Sequence, residues 1–209
     1  YTNPYKNLSP RDRQAFAPPE ASACMQLAPG SWRLATPIFV AAVPLTLLFA
    51  PLGVLTVALG VAVLWFHRDP PRPAGDGVVA PAEGTVSVIR EEDDRLRVGI
   101  YMSALSVHVN RSPLPGTVRR VDHVPGANKP AFSKESDWNE RVRLESDDWT
   151  LVLIAGWFAR RIHPYVGTGE AIGRGDRIAH ISFGSRADVL MPADVTRGDL
   201  TVDLDDEVQ

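Results

Sequence analysis

Hydrophobic positions follow two different rhythms along this chain. From position 34 to position 66 there are 33 consecutive residues without a charge, closed by Arg33 on one side and by His67, Arg68 and Asp69 on the other. About 20 such residues suffice to cross a bilayer as a helix. Pro51 and Gly53 interrupt the run and leave apolar stretches of 17 and 13 residues. The pattern predicts either one tilted span with surplus length or two short helices folded back through Pro51-Leu52-Gly53. The hairpin is favoured. It brings Arg33 and the Arg68/Arg72 pair to one side, which the positive-inside rule makes cytoplasmic. A cleaved signal peptide fits less well, because the run is too long and lacks a small-residue cleavage site.

From position 78 onward the rhythm changes to short β-type runs split by turn residues, at 85–90, 95–101, 117–123, 141–145, 149–155, 178–182 and 187–191. Strands this short, with no helical blocks between them, predict an all-β sandwich or barrel. The stretch VGTGEAIGRGDRI at 166–178 has the hammerhead-turn rhythm of biotinyl/lipoyl-like barrels. Residues 202–209 read as the start of a similar unit. The expected architecture is an all-β barrel-sandwich domain over 78–209, preceded by a membrane anchor at 25–66 and a Pro/Gly linker at 67–77. Residues 1–24, polar and without periodicity, read as a non-native or disordered extension.

Composition narrows the function classes. Of 209 residues, 44% are apolar, enough for a real core, which excludes wholesale disorder. The single cysteine, Cys24, excludes a disulfide scaffold and a thiolate-rich metal site, and no metal is expected. Net charge is −3. Four basic and two acidic residues precede position 67, so the rest carries 18 basic and 23 acidic ones. No basic footprint favours nucleic acid.

Three segments stand out in the β-rich part. Pro81-Ala82-Glu83-Gly84 is a turn that presents a carboxylate. In the run 106–116, His108 and Asn110 share strand parity and would project from one face. The run 180–192 contains Phe183-Gly184-Ser185-Arg186, which does not meet the G-x-S-x-G pattern of a nucleophile elbow. Each segment alone is ordinary: a turn, a structural histidine in a strand, a β-turn.

Taken in order along the chain they resemble the phosphatidylserine decarboxylase family, and most closely its short form, which includes the archaeal archaetidylserine decarboxylases. The resemblance runs over roughly 25–209. It is carried by FHRDP at 66–70, PAEG at 81–84, VHVNRSP at 107–113, HVPG at 123–126, KPAFSKES at 129–136, NER at 139–141, IAG at 154–156, ARRI at 159–162 and FGSRAD at 183–188. VHVNR together with FGSR is the specific part. The hydrophobic run is not.

The resemblance implies a phospholipid substrate, residence at the cell membrane with the catalytic domain on its cytoplasmic face, and a cofactor that the chain makes from itself. The hydroxyl of Ser185 would break the Gly184–Ser185 peptide bond, through an ester and a β-elimination, and leave an N-terminal pyruvoyl group. The product would be a heterodimer of the chain's own two pieces, a large one ending at Gly184 and a 25-residue one from 185 to 209. Gly184, lacking a Cβ, can take a strained conformation that exposes its carbonyl. A pyruvoyl carbonyl forms a Schiff base with an amine and acts as an electron sink when CO2 leaves. That suits a serine headgroup. The family's histidine for proton transfer corresponds to His108. The base for self-cleavage stays open between Glu83, His180 and His123, because Arg111 stands where the long form has a second histidine. Phosphate recognition needs cations, and the candidates are Arg186, Arg111, Arg160 and Arg161, with Arg186 ranked nearest the chemistry. A membrane-tethered biotinyl/lipoyl-like adaptor without catalysis would share the barrel. The carrier version lacks a suitable lysine, since only Lys6, Lys129 and Lys134 occur.

Overall fold

Two apolar helices open the described part of the chain. In the computed structural model the described residues are 25–126, 139–156, 162–181 and 184–209. Helix α1 (Ser31–Leu48) and helix α2 (Ala50–Phe66) fold back on each other as an antiparallel hairpin. An 18-residue helix is about 27 Å long, close to the thickness of a hydrocarbon core. The reversal falls at Phe49, whose backbone is extended (φ −157°, ψ 103°), and not at Pro51-Leu52-Gly53 as the sequence suggests. Pro51 lies in the first turn of α2, where its missing N–H costs nothing. Gly53 lies inside α2 because a Cβ there would strike Thr46 of α1. Leu47 and Leu48 near the tip are 85% and 81% exposed, and Val54, Leu55 and Leu59 are also bare. A hairpin with apolar residues on its outside is built for lipid contact rather than for water.

The hairpin is closed at its base. Strand β1 (Gln26–Leu27) pairs antiparallel with β2 (Arg68–Asp69), so the chain enters and leaves at one end. Arg33, Arg68 and Arg72 therefore flank the same end, as the hairpin reading requires. Asp69, 2% exposed, is the join to the rest of the molecule. Its Oδ1 accepts from Arg111 Nη2 (2.5 Å) and its Oδ2 from Arg177 Nε.

Twelve further strands follow: β3 (Gly84–Glu92), β4 (Arg95–Met102), β5 (Val109–Arg111), β6 (Gly116–Thr117), β7 (Arg120–Val124), β8 (Arg141–Glu145), β9 (Thr150–Ile154), β10 (Ile162–Pro164), β11 (Ala171–Ile172), β12 (Arg177–Ile181), β13 (Ser185–Leu190) and β14 (Glu207–Val208). Seven make one antiparallel sheet in the order β14-β3-β4-β13-β9-β8-β7. The β3–β4 connection is a two-residue turn, Asp93-Asp94, with φ of 52° and 58°. Two positive φ values match the right-handed twist of a hairpin, and aspartate tolerates them. A three-stranded sheet β10-β12-β5 contributes Ile162, Ile178 and Ile181 to the same core as Val86, Ile100, Leu153 and Ala187 of the large sheet. Strands β6 and β11 form a separate pair.

The β-rich class is as the sequence suggests, but among the described residues no sheet closes into a barrel. The large sheet ends on open edges, β14 and β7, and the small sheets complete the core without joining it. The seven strand runs read from sequence correspond to β3, β4, β6 with β7, β8, β9, β12 and β13. Strands of two or three residues, such as β1, β2, β10 and β14, are too short to show alternation. Residues 68–69, assigned to a linker by their Pro/Gly surroundings, form β2. Residues 1–24 lie outside the described residues.

Loss of the buried Asp69 carboxylate would leave one buried guanidinium, Arg111, and one half-buried, Arg177, without a counter-ion. Asp69→Asn should destabilise the folded domain by about 3 kcal/mol. Denaturant unfolding of the detergent-solubilised protein measures this. A loss below about 0.5 kcal/mol, the range of an ordinary surface substitution, would show that the join is not electrostatic.

Candidate active site

Three chain segments meet around the start of β13. Ser185 is its first residue, fully buried, and pairs with Met102 at the end of β4. The hydroxyl has one weak partner, the Met102 sulfur at 3.9 Å. A thioether is a poor acceptor, so the oxygen is not tied up in a strong hydrogen bond. Gly184 before it has φ +62°, in the left-handed region, and a Cβ built there would touch nothing within 4 Å. The glycine is thus required by backbone conformation and not by crowding. The carboxylate side arrives on the other flank of β4. The Glu83-Gly84 turn runs against Tyr101 and Met102, and Glu83 Oε1 accepts the backbone N–H of Val107 (3.1 Å). Residue 107 leads into β5, where Ile181 N–H donates to the carbonyl of His108 (3.2 Å). His108 is therefore anchored to β12, the strand from which the chain runs on to Gly184.

His108 is 3% exposed. Its Nδ1 lies 2.8 Å from the Ser106 carbonyl, an acceptor, so Nδ1 carries the proton and donates. Nε2 is then a buried lone pair with no hydrogen-bond partner. Burial is the main reason that the His108 pKa falls from 6.5 to about 4, with the nearby His67 and Arg68 adding to it. The ring of Phe66, last residue of α2, lies 4.5 Å from the imidazole, centre to centre. The apolar hairpin thus touches His108 directly.

His180 on β12 forms the other side. Void space of about 170 Å3, too narrow to admit a water, separates Phe66, His67, His108 and His180. The Tyr165 oxygen is 2.8 Å from His180 Nδ1. Burial raises the tyrosine pKa, so Tyr165 keeps its proton and donates it to Nδ1, which puts the His180 proton on Nε2. The His163 ring stacks on His180 at 4.5 Å. Burial first, then the proximity of His163, His67 and His108, lowers the His180 pKa to about 4. Both imidazoles are neutral at pH 7.

Other candidates are placed elsewhere. His123 lies on the edge strand β7, three strands from β13, and pairs with Glu140 (2.8 Å) in solvent. It is not at the site, and the choice of base narrows to Glu83 and His180. Arg186 follows Ser185 in sequence, but neighbours on a strand face opposite ways. Its Nε and Nη2 donate to the buried Asp188 (2.7 and 2.9 Å), which Arg97 also grips. This fork is filled by a carboxylate on the far face of the sheet from Ser185. Arg111 is held by Asp69. Arg160 and Arg161 lie outside the described residues, as do the three lysines. No group of His, Cys, Asp and Glu that could hold a metal occurs among the described residues. A cavity of about 540 Å3 beneath residues 199–202 is lined by Val86, Ile100, Val189 and Met191 and includes neither Ser185 nor His108.

Sequence reasoning missed His67, Tyr165 and Phe66. His67 reads as a polar stop to the apolar run, and Tyr165 as a residue between turns. Only the tertiary fold brings them to β5 and β12. The Arg186–Asp188 pair did carry a signal, since opposite charges two apart on a strand share a face.

The sequence profile of the phosphatidylserine decarboxylase family matches residues 59–209. A Halobacterium salinarum protein provisionally named archaetidylserine decarboxylase proenzyme is 57% identical over 177 residues, 84% of this chain and 90% of that protein. A phosphatidylserine decarboxylase proenzyme of Streptomyces coelicolor is 45% identical over 206 residues, 90% of this chain and 94% of its own length. Another, from Streptomyces avermitilis, is 50% identical over 150 residues, 67% of this chain and 70% of that protein.

The two neutral imidazoles make stability depend on pH. His108 and His180 have folded pKa values of about 4 against an ordinary 6.5, so between these limits the unfolded chain binds more protons. Stability should be fully present above pH 6.5 and fall as pH drops toward 4. Thermal melting at pH 7.5, 6 and 5 measures this. Replacing both histidines by Gln should flatten the profile over this window. An unchanged profile in the double variant would assign the acid sensitivity to other groups.

Proposed function

This chain belongs to the phosphatidylserine decarboxylase family, and on that premise we propose that it is a carboxy-lyase that removes CO2 from a serine-headgroup phospholipid, leaving the ethanolamine lipid. Archaeol and diacylglycerol lipids are alike at the reacting carbon, and the reading covers both. One observation carries the reading: a buried serine with no strong hydrogen-bond partner follows a left-handed glycine. The chain is made as a proenzyme that cuts itself.

Ser185 Oγ attacks the Gly184 carbonyl carbon, and the amide nitrogen of residue 185 takes up a proton as the peptide becomes an ester. A base, Glu83 or, once Tyr165 swings off its Nδ1, His180, then removes the Ser185 α-proton. The Cβ–Oγ bond breaks and Gly184 departs as a free carboxylate. Hydrolysis of the resulting enamine by water releases ammonia and leaves a pyruvoyl group on the 25-residue piece. The residues present fit such a group: it needs a serine free to react and a flexible residue before it, and no described residue is a lysine that would compete for the role. When formed, the group supplies a carbonyl that captures the substrate amine and accepts the electrons released as CO2 leaves.

His108 moves the proton. The substrate carboxylate, entering a low-dielectric site, raises the affinity of Nε2 for a proton. The imidazole takes that proton at Nε2, held in place by the Nδ1–Ser106 bond, and delivers it to the carbon that has lost CO2. The hairpin holds the site at a membrane, with the β domain on the cytoplasmic side, consistent with the basic residues at its base.

Ser185→Ala should stay a single chain on a denaturing gel, and a cut at 184/185 in that variant would refute serine-driven cleavage. His108→Ala should still be cut but should decarboxylate on the order of 10²-fold more slowly. Normal turnover by the processed variant would remove His108 from the reaction. Alkaline carbonate should not extract the full chain from membranes. Quantitative release would exclude the hairpin as an anchor.

A further inference from the structure

We propose that Arg72 is the cation that receives the headgroup phosphate of the lipid substrate, an assignment that rests on the decarboxylase reading above. The hairpin fixes the level of the membrane surface. Trp65 near the end of α2 is 47% exposed, and the guanidinium of Arg68 lies 4.0 Å from the centre of its ring. Tryptophan and arginine at a helix end mark the headgroup layer. Arg68 Nη2 also donates to the carbonyl of Leu105 (2.7 Å), a side chain 69% exposed on the loop that leads to His108. The site therefore opens beside this layer, and Arg72 comes four residues after Arg68.

Arg72 is short of acceptors. Nη2 reaches the Val109 carbonyl at 3.4 Å, a long bond to the residue next to His108. Nε and Nη1 are buried and have no partner. Two carboxylates face this guanidinium, Asp69 and Glu83, and two cations, Arg111 and Arg68. Both Asp69 oxygens are already taken by Arg111 and Arg177. Glu83 accepts from Val107 N–H and makes no ion pair with Arg72. Buried donors without acceptors are rare and costly, and a charged one more so. Burial lowers the Arg72 pKa only to about 10, so it is a cation at neutral pH. An incoming anion would meet the unmatched N–H groups, and a phosphodiester oxygen is the anion a serine phospholipid brings to headgroup depth. The substrate's carboxylate is the other source of the same chemistry. Arg111 also has an unpartnered Nε, but its Nη2 is held by Asp69 and its Nη1 by the Gly175 carbonyl. Arg186 is held by Asp188, so Arg72 is the one of the three with no ion pair.

The test uses the full chain in detergent micelles. Arg72→Gln should cut itself normally, raise KM for phosphatidylserine at least tenfold and change kcat by less than about threefold. Inhibition by glycerophosphoethanolamine should weaken by the same factor, while inhibition by 2-methoxyethylamine, which lacks the phosphate, should not change. Arg72→Lys, which keeps the charge, should recover most of the KM. An unchanged KM, a fall in kcat alone, or equal weakening of both inhibitors would overturn the assignment. So would an Arg72→Gln chain that stays uncut, since a phosphate receptor has no part in cleavage. If the unaltered protein neither cuts itself nor releases CO2, the decarboxylase reading falls. If it does both and Arg72→Gln matches it, Arg72 alone is misassigned.

Discussion

Two arginines from different strands meet one buried carboxylate at the foot of the helical hairpin, and the position of every other part of the site follows from that meeting. Asp69 comes from β2, Arg111 from β5 and Arg177 from β12. Each oxygen of the carboxylate is used, which is the condition under which a buried ion pair repays its desolvation. The geometry locks the end of α2 onto the small sheet. Phe66 is thereby set against His108, and residue 72 beside the carbonyl of Val109. An apolar hairpin and a candidate site that lie apart in sequence share one electrostatic joint.

A second buried carboxylate does comparable work on the far face of the large sheet. Asp188 holds Arg186 and Arg97, and Arg97 reaches on to Glu92. This network braces β13 against β4 and keeps polar atoms satisfied on a face with few apolar partners. Ser185 on the opposite face is left with a sulfur for company. The contrast is informative: the Asp188 network is fully paired, whereas Ser185 Oγ has only a sulfur beside it and His108 Nε2 and Arg72 Nε have no hydrogen-bond partner.

Much of this was legible in the residues and some was not. The uncharged run announces the helices, but reading proline and glycine as breakers puts the turn two to four residues too late. Pro51 instead starts a helix, and Gly53 makes room for Thr46. Strands of five residues or more showed themselves by alternation, and those of two or three did not. Ordered motifs single out His108, Glu83 and Ser185, and the fold ties Glu83 to Val107, His108 to Ile181 and Ser185 to Met102. Arginines were harder. A sequence shows how many cations there are but not which carboxylates they already serve, so Arg111 and Arg186 looked available and Arg72 looked like a flank. The expected barrel-sandwich is not confirmed among the described residues for a related reason: turn rhythm reports local reversals and says nothing about whether the outer strands find each other.

The position of Ser185 at the head of β13 has one more consequence. Strand β13 is bonded on both sides, to β4 through all six of its residues and to β9 through five. Farther along, β14 pairs with β3 at the sheet's edge. A break between 184 and 185 would sever the covalent thread and leave the pairs from Arg186 to Leu190 in place on both sides. The short piece would remain threaded through the middle of its parent's sheet, and it could not trade places with a copy from another molecule unless that sheet came apart. Each cut molecule would thus keep the fragment it was born with, and subunit exchange would be as slow as unfolding itself.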